Sequence, residues 1–237
     1  MIDHYDWPGG REAMLRFGPD TGPVVIGLLP LLEEANRTRT FLVTMLRRLA
    51  DRGIGSVLPD LPGTGESMAP TSSLSLASMG DAVRALAVAL RDQGRMPHSA
   101  AIRSGALLDV HADVRRWHFA PHGARELRHE LQRQKLLGKI WSGEGEWFDA
   151  LAEGPGRTVE VAGNVLPAAF FAELGAYPAL FLRSPGDRVV RLDTDAAGAE
   201  RKVAGAPLWR RAEPDNDPIL AALLADDIAA WVRQCEG

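Results

Sequence analysis

The chain has 237 residues, enough to bury one sizeable core, and its 46% hydrophobic and 24% charged residues are an ordinary globular composition. Its 27 basic and 31 acidic residues leave a formal net charge of -4, with basic residues alternating with acids, which argues against a generic nucleic-acid binder. The one cysteine, Cys235, excludes an intrachain disulfide framework; the first ten residues lack the basic start and apolar run of a signal peptide, and no apolar stretch approaches the roughly 18 residues of a membrane span, so a cytoplasmic protein is expected.

Residues 11–17 read as an early strand, closed by the turn Gly18-Pro19-Asp20. Val24-Val25-Ile26-Gly27-Leu28-Leu29 is a continuous apolar run, the pattern of a parallel strand covered on both faces, and Pro30 ends it. A loop over 31–37 leads to a helix over 38–52, with Phe41, Leu42, Met45, Leu46 and Leu49 on one face and Gly53 closing it. Residues 54–58 form the next strand. The following Pro59-Asp60-Leu61-Pro62-Gly63-Thr64-Gly65-Glu66-Ser67 lacks the lysine and spacing of a phosphate loop and reads as a tight structural turn.

A helix over 78–93 presents Val83, Leu86, Ala87 and Leu90, and strands follow at 99–102 and 116–120. Strands alternating with helices over this length predict βαβ units and a mainly parallel sheet. The rhythm breaks at 121–176, where a charged helix over 126–139, a Gly-rich acidic stretch, a strand at 158–161 and a helix at 168–174 suggest a cap inserted into a core of 1–120 and 177–237. It resumes with strands at 179–182 and 200–204, separated by the loop 183–190, and ends in a helix over 217–234.

Several stretches together resemble an α/β-hydrolase, and more closely the exosortase A system-associated hydrolase 2 family found with bacterial exopolysaccharide export genes. They are Pro30-Leu31-Leu32-Glu33-Glu34-Ala35-Asn36-Arg37-Thr38-Arg39, the loop 60–67, Ile102-Arg103-Ser104-Gly105-Ala106-Leu107-Leu108, Val159-Glu160-Val161-Ala162-Gly163 and Val203-Ala204-Gly205-Ala206-Pro207-Leu208-Trp209. The resemblance implies a single α/β-hydrolase domain, a mainly parallel central sheet with helices on both faces and a small cap. It also implies a link to components of a polysaccharide export system.

Residues 101–105 have the layout of a nucleophile elbow, a strained strand-to-helix turn needing small residues two before and two after its tip. With Arg103 at the tip those neighbours are Ala101 and Gly105; with Ser104 they are Ile102 and Ala106, and a β-branched residue fits that place badly. An arginine is always protonated and cannot attack an acyl carbon. Asp187, expected after the strand at 179–182, matches the position of the triad acid, whereas no histidine follows His129 and the corresponding loop holds Pro207-Leu208-Trp209-Arg210.

The expected protein therefore lacks a complete Ser-His-Asp triad and acts as a binding or accessory protein, the alternative being an acyl hydrolase that uses Ser104 and an atypical base. Arg103, at a helix start, either pairs with Glu34 or Asp187 or offers its fork to an anionic or acyl small-molecule ligand. Leu31, Glu33, Glu34, Asn36, Arg39 and Trp209 are the candidate neighbours. No cofactor is implied. No metal site is expected either: His118 and His122 share a short loop, and no further carboxylates are expected beside them.

Overall fold

The computed structural model describes residues 1–142, 157–177 and 184–237. β1 (Ile2–Trp7) and β2 (Gly10–Phe17) form an antiparallel hairpin. β3 (Val24–Leu28), β4 (Gly55–Pro59) and β5 (Pro97–Ile102) are buried at every position, as strands covered on both faces must be. β6 (Arg115–Phe119) follows, then a separate hairpin of β7 (Thr158–Val161) and β8 (Asn164–Pro167), then β9 (Arg188–Leu192) and β10 (Arg201–Val203). Among the described residues the main sheet runs β1-β2-β4-β3-β5-β6-β9-β10, parallel from β4 to β10.

Helices cover both faces. α1 (Glu33–Ala50) and α5 (Pro218–Glu236) pack on one, where Phe41, Leu46 and Ile228 meet Val25 and Trp117. α2 (Leu76–Asp92) lies on the other, and α3 (Ala124–Ser142) and α4 (Ala168–Ala176) pack on each other, α3 also against β7 and the turn after β5 and α4 against β8 and α2. Met79, Val83, Leu127 and Phe170 belong to one core with Val24, Ile26 and Leu28. The strand period of two thus sends Val25 to one core and Val24, Ile26 and Leu28 to the other. Helix starts are fixed locally: the Asp217 carboxylate accepts the Leu220 amide with Pro218 just inside the helix, and the Ser75 hydroxyl accepts the Ser78 amide.

Three differences from the sequence reading bear on the site. α1 begins at Glu33, so most of the expected loop 31–37 is helix, with Glu33 and Glu34 in its first turn where acids favour the helix dipole. The turn after β5 leads into a 3-10 helix of five residues, Arg103–Leu107, too short to carry a useful dipole. Finally, Arg188–Leu192, expected at the end of a loop and beyond it, is strand β9, with Val189, Val190 and Leu192 buried; the strand expected at 179–182 lies outside the described residues. Among the described residues no helix is long and apolar enough to cross a membrane.

Candidate functional site

The elbow sits at the carboxyl edge of the sheet, where β5 ends. Arg103, the first residue of the 3-10 helix, has φ 54°, the left-handed conformation that a nucleophile-elbow tip adopts and a non-glycine residue rarely does, whereas Ser104 beside it has no positive φ. Gly105 explains its own identity: a Cβ there would stand 2.6 Å from the Leu29 carbonyl oxygen and 2.7 Å from that of Leu28. The turn is therefore pressed against the end of β3. Ser104 is wholly buried, and its Oγ accepts the Leu31 amide at 2.9 Å. That amide belongs to the loop which supplies an oxyanion donor in hydrolases of this layout, and here the neighbouring hydroxyl uses it.

The Arg103 guanidinium is held on several sides. Nε donates to Glu34 Oε2 at 3.1 Å and Nη2 to Glu34 Oε1 at 3.2 Å, a two-pronged pair, while Nη1 reaches the Ala120 carbonyl at 3.4 Å. Its Cζ lies 4.7 Å from the centre of the Trp209 ring, in cation–π range. Burial pushes the Glu34 carboxyl up from its ordinary value, outweighing the pull of Arg103 in the other direction. Trp209 is fixed in turn, because Arg37 Nη1 donates to its carbonyl at 3.1 Å and Arg37 Nη2 pairs with Glu33 at 3.2 Å.

The remaining expected residues separate. Asn36 and Arg39 line a different, small cavity of about 70 Å³ beside Leu31, and both terminal nitrogens of Arg39 donate to Asp60 Oδ1 at 3.2 Å. Asp60 also receives the Glu66 amide, and a Cβ at Gly65 would fall 2.2 Å from Asp60 Oδ1, so the Gly-rich loop is a structural turn closed around a buried carboxylate.

Asp187 does not join the elbow. It stands before β9, at the opposite, amino edge of the sheet, where its carboxylate takes the Arg116 backbone amide, Arg116 Nε and Nη2, and the Ser184 amide. The carboxylates that do follow the strand are Asp193 and Asp195. Asp195 faces the Arg103 cavity and pairs with Arg191 at 2.6 Å; burial raises its pKa, but the Ala197 amide and Arg191 outweigh it and hold the group below its usual value. The signal for this was the run Val189-Val190-Arg191-Leu192, a strand pattern ending just before these acids.

The cavity above Arg103 has a volume of about 940 Å³. Glu34, Arg37 and Trp209 form one side, Arg191, Asp195 and Arg210 another, and α3 contributes Glu126, Glu130 and Arg133. His122, in the loop between β6 and α3, lines it as well, and its backbone amide donates to the Arg103 carbonyl at 3.2 Å. Burial, with Arg103 and Arg210 adding to it, pushes the His122 pKa down to about 3, so the ring is neutral at pH 7. The expectation that His122 has no carboxylate near it fails in three dimensions: Glu34, His122 and Glu130 bring ligand-type atoms within 4.8 Å of one another. His118 turns away from this cavity and is buried against Asp109, 3.0 Å from Oδ2, which also accepts the Ser99 hydroxyl.

Comparison with known proteins fixes the fold. The esterase Est1E from Butyrivibrio proteoclasticus superposes with a TM-score of 0.63 over 98% of each chain, at 13% identity. A putative hydrolase from Agrobacterium vitis S4 gives 0.59 over 98% of this chain and 97% of its own, again at 13% identity. The bottromycin epimerase BotH gives 0.51 over 97% and 98%, at 16% identity. The chain has the α/β-hydrolase fold, and likeness at this level of identity extends to the fold alone. No protein-family model matches the sequence, and no curated protein does.

Proposed function

We propose that this chain is a catalytically silent α/β-hydrolase-fold protein that serves as a binding or accessory component of a bacterial exosortase-linked exopolysaccharide system in the cytoplasm. The observation that carries the reading is the tip of the elbow: a permanently charged guanidinium, paired with Glu34 and stacked on Trp209, stands where a hydrolase presents its nucleophile. Trp209 belongs to the loop after β10, where the triad histidine would be carried, and Ser104 keeps its hydroxyl inside the turn. Among the described residues Asp195 pairs with Arg191, and a carboxylate held by an arginine supplies no acyl-transfer chemistry by itself.

Binding chemistry is better provided for. A cavity of about 940 Å³ is within the range of small-molecule sites, and Arg37, Arg191 and Arg210 give it cations suited to an anionic or acyl-carboxylate ligand. Residues 121–176 act in this reading as a cap on the 1–120 and 177–237 core, since Glu126, Glu130 and Arg133 of α3 face the cavity. The decisive assay incubates purified protein with short acyl nitrophenyl esters and a fluorophosphonate probe. No labelling and no turnover above buffer are expected; turnover that Ser104→Ala abolishes would establish the acyl hydrolase instead. The polysaccharide link predicts that deleting the gene from its bacterial host lowers polymer export and that Ser104→Ala complements as well as the wild type.

A further inference from the structure

We propose that Glu34, His122 and Glu130 form a binding site for one divalent metal ion of borderline softness, with Zn²⁺ the best fit. The three side chains come from separate elements, the first turn of α1, the loop after β6 and the second turn of α3, and they converge on one wall of the cavity. Their ligand atoms lie within 4.8 Å of one another. Ligands of a tetrahedral zinc stand roughly 3.4 Å apart, given bonds of about 2.0–2.2 Å, so the site closes on an ion by side-chain rotation alone.

The donor set matches the charge of such an ion. Two carboxylates and a neutral imidazole carry two negative charges, and a site of three protein ligands keeps a position open for water or an oxygen ligand. The imidazole selects against Mg²⁺, which prefers six oxygen donors in a strict octahedron. A second observation points the same way: His122 Nδ1 is buried and has no hydrogen-bond partner among the described residues.

The same cavity wall carries competitors. Arg103 already takes both oxygens of Glu34, and Arg133 stands 3.8 Å from Glu130. A metal ion and Arg103 therefore contend for one carboxylate, and this gives the proposal a specific signature. The site stands independently of whether the elbow is catalytic.

The test is calorimetric titration of untagged, metal-stripped full-length protein with ZnCl₂ and, separately, MgCl₂. One Zn²⁺ per chain is expected, with Mg²⁺ at least about a hundredfold weaker. His122→Ala and Glu130→Gln should each weaken Zn²⁺ binding by about tenfold or more. The buried His122 Nδ1 makes no hydrogen bond among the described residues, and the fold of His122→Ala, followed by circular dichroism, should be unchanged. Arg103→Met should tighten binding by freeing Glu34. No uptake of Zn²⁺, or uptake that survives both His122→Ala and Glu130→Gln and so belongs to other histidines, overturns the proposal.

Discussion

Two arginine–carboxylate pairs stand at opposite edges of one sheet, and they differ in what surrounds them. At the amino edge, Arg116 and Asp187 have side chains only 7% exposed, and the same carboxylate also accepts two backbone amides. At the carboxyl edge, Arg103 and Glu34 are 13% and 12% exposed and line a cavity large enough for a ligand. The first pair is satisfied by the chain on every side and fastens β6 to the start of β9. The second leaves its remaining surface to whatever enters the cavity. An arginine–carboxylate pair is thus not informative by itself; the difference lies in whether backbone or open volume completes it.

Breaking the two pairs should separate them. Asp187→Ala leaves a buried guanidinium and the Arg116 and Ser184 amides without their acceptor, so unfolding free energy, measured by denaturant titration, should fall by about 3–5 kcal/mol. Glu34→Gln should cost less, about 1–2 kcal/mol, because cavity water can solvate Arg103 once the carboxylate has gone. It should also strengthen the response to anions: added phosphate should raise the melting temperature of the variant more than that of the wild type. An equal loss from both substitutions would show that the carboxyl-edge pair is as structural as the other.

Smaller effects sharpen the contrast. Ser104→Ala removes the acceptor of the buried Leu31 amide and should cost about 1 kcal/mol in the same denaturant titration, with no change in any binding activity of the cavity. At the amino edge, His98 in β5 is packed edge-on against Trp231, and burial lowers its pKa from 6.5 despite an opposing hydrogen bond with Glu236. The folded state then binds fewer protons than the unfolded chain once the pH drops below about 6.5, so its stabilising contribution is present above that pH and lost as the pH falls toward the lowered folded value. Comparing melting temperatures at pH 7 and 5.5 should show a smaller fall for His98→Gln than for the wild type.

Much of this architecture could be read from local patterns. The continuous apolar run of β3, the stripe of Phe41, Met45 and Leu49, and the Ala101 and Gly105 that flank Arg103 are all short-range signals of packing. β9 is less legible than its neighbours. The apolar stretch before residue 183 looked stronger than Arg188-Val189-Val190-Arg191-Leu192, whose arginines dilute it, yet Arg188 pairs with Asp227, and Arg191 with Asp195. Asp187, expected as the acid after a strand, accordingly stands just before β9, paired with Arg116. β1 carries no continuous apolar run and no strict alternation, Asp3 and His4 standing side by side, and Tyr5 is its one buried residue. His122 lies 88 residues from Glu34 in sequence, and no local spacing can announce that the two meet.

The positive φ of Arg103 has a practical consequence. Gly105 packed against the carbonyls of β3 holds the turn in place, so the backbone decides where residue 103 points and its side chain only decides what is presented. A thiol introduced by Arg103→Cys would accordingly be displayed at the floor of the main cavity. With Cys235, the single native cysteine, replaced by serine, that position becomes a unique attachment point for a fluorescent or spin label. Such a probe would report directly on the arrival of ligands from within the site.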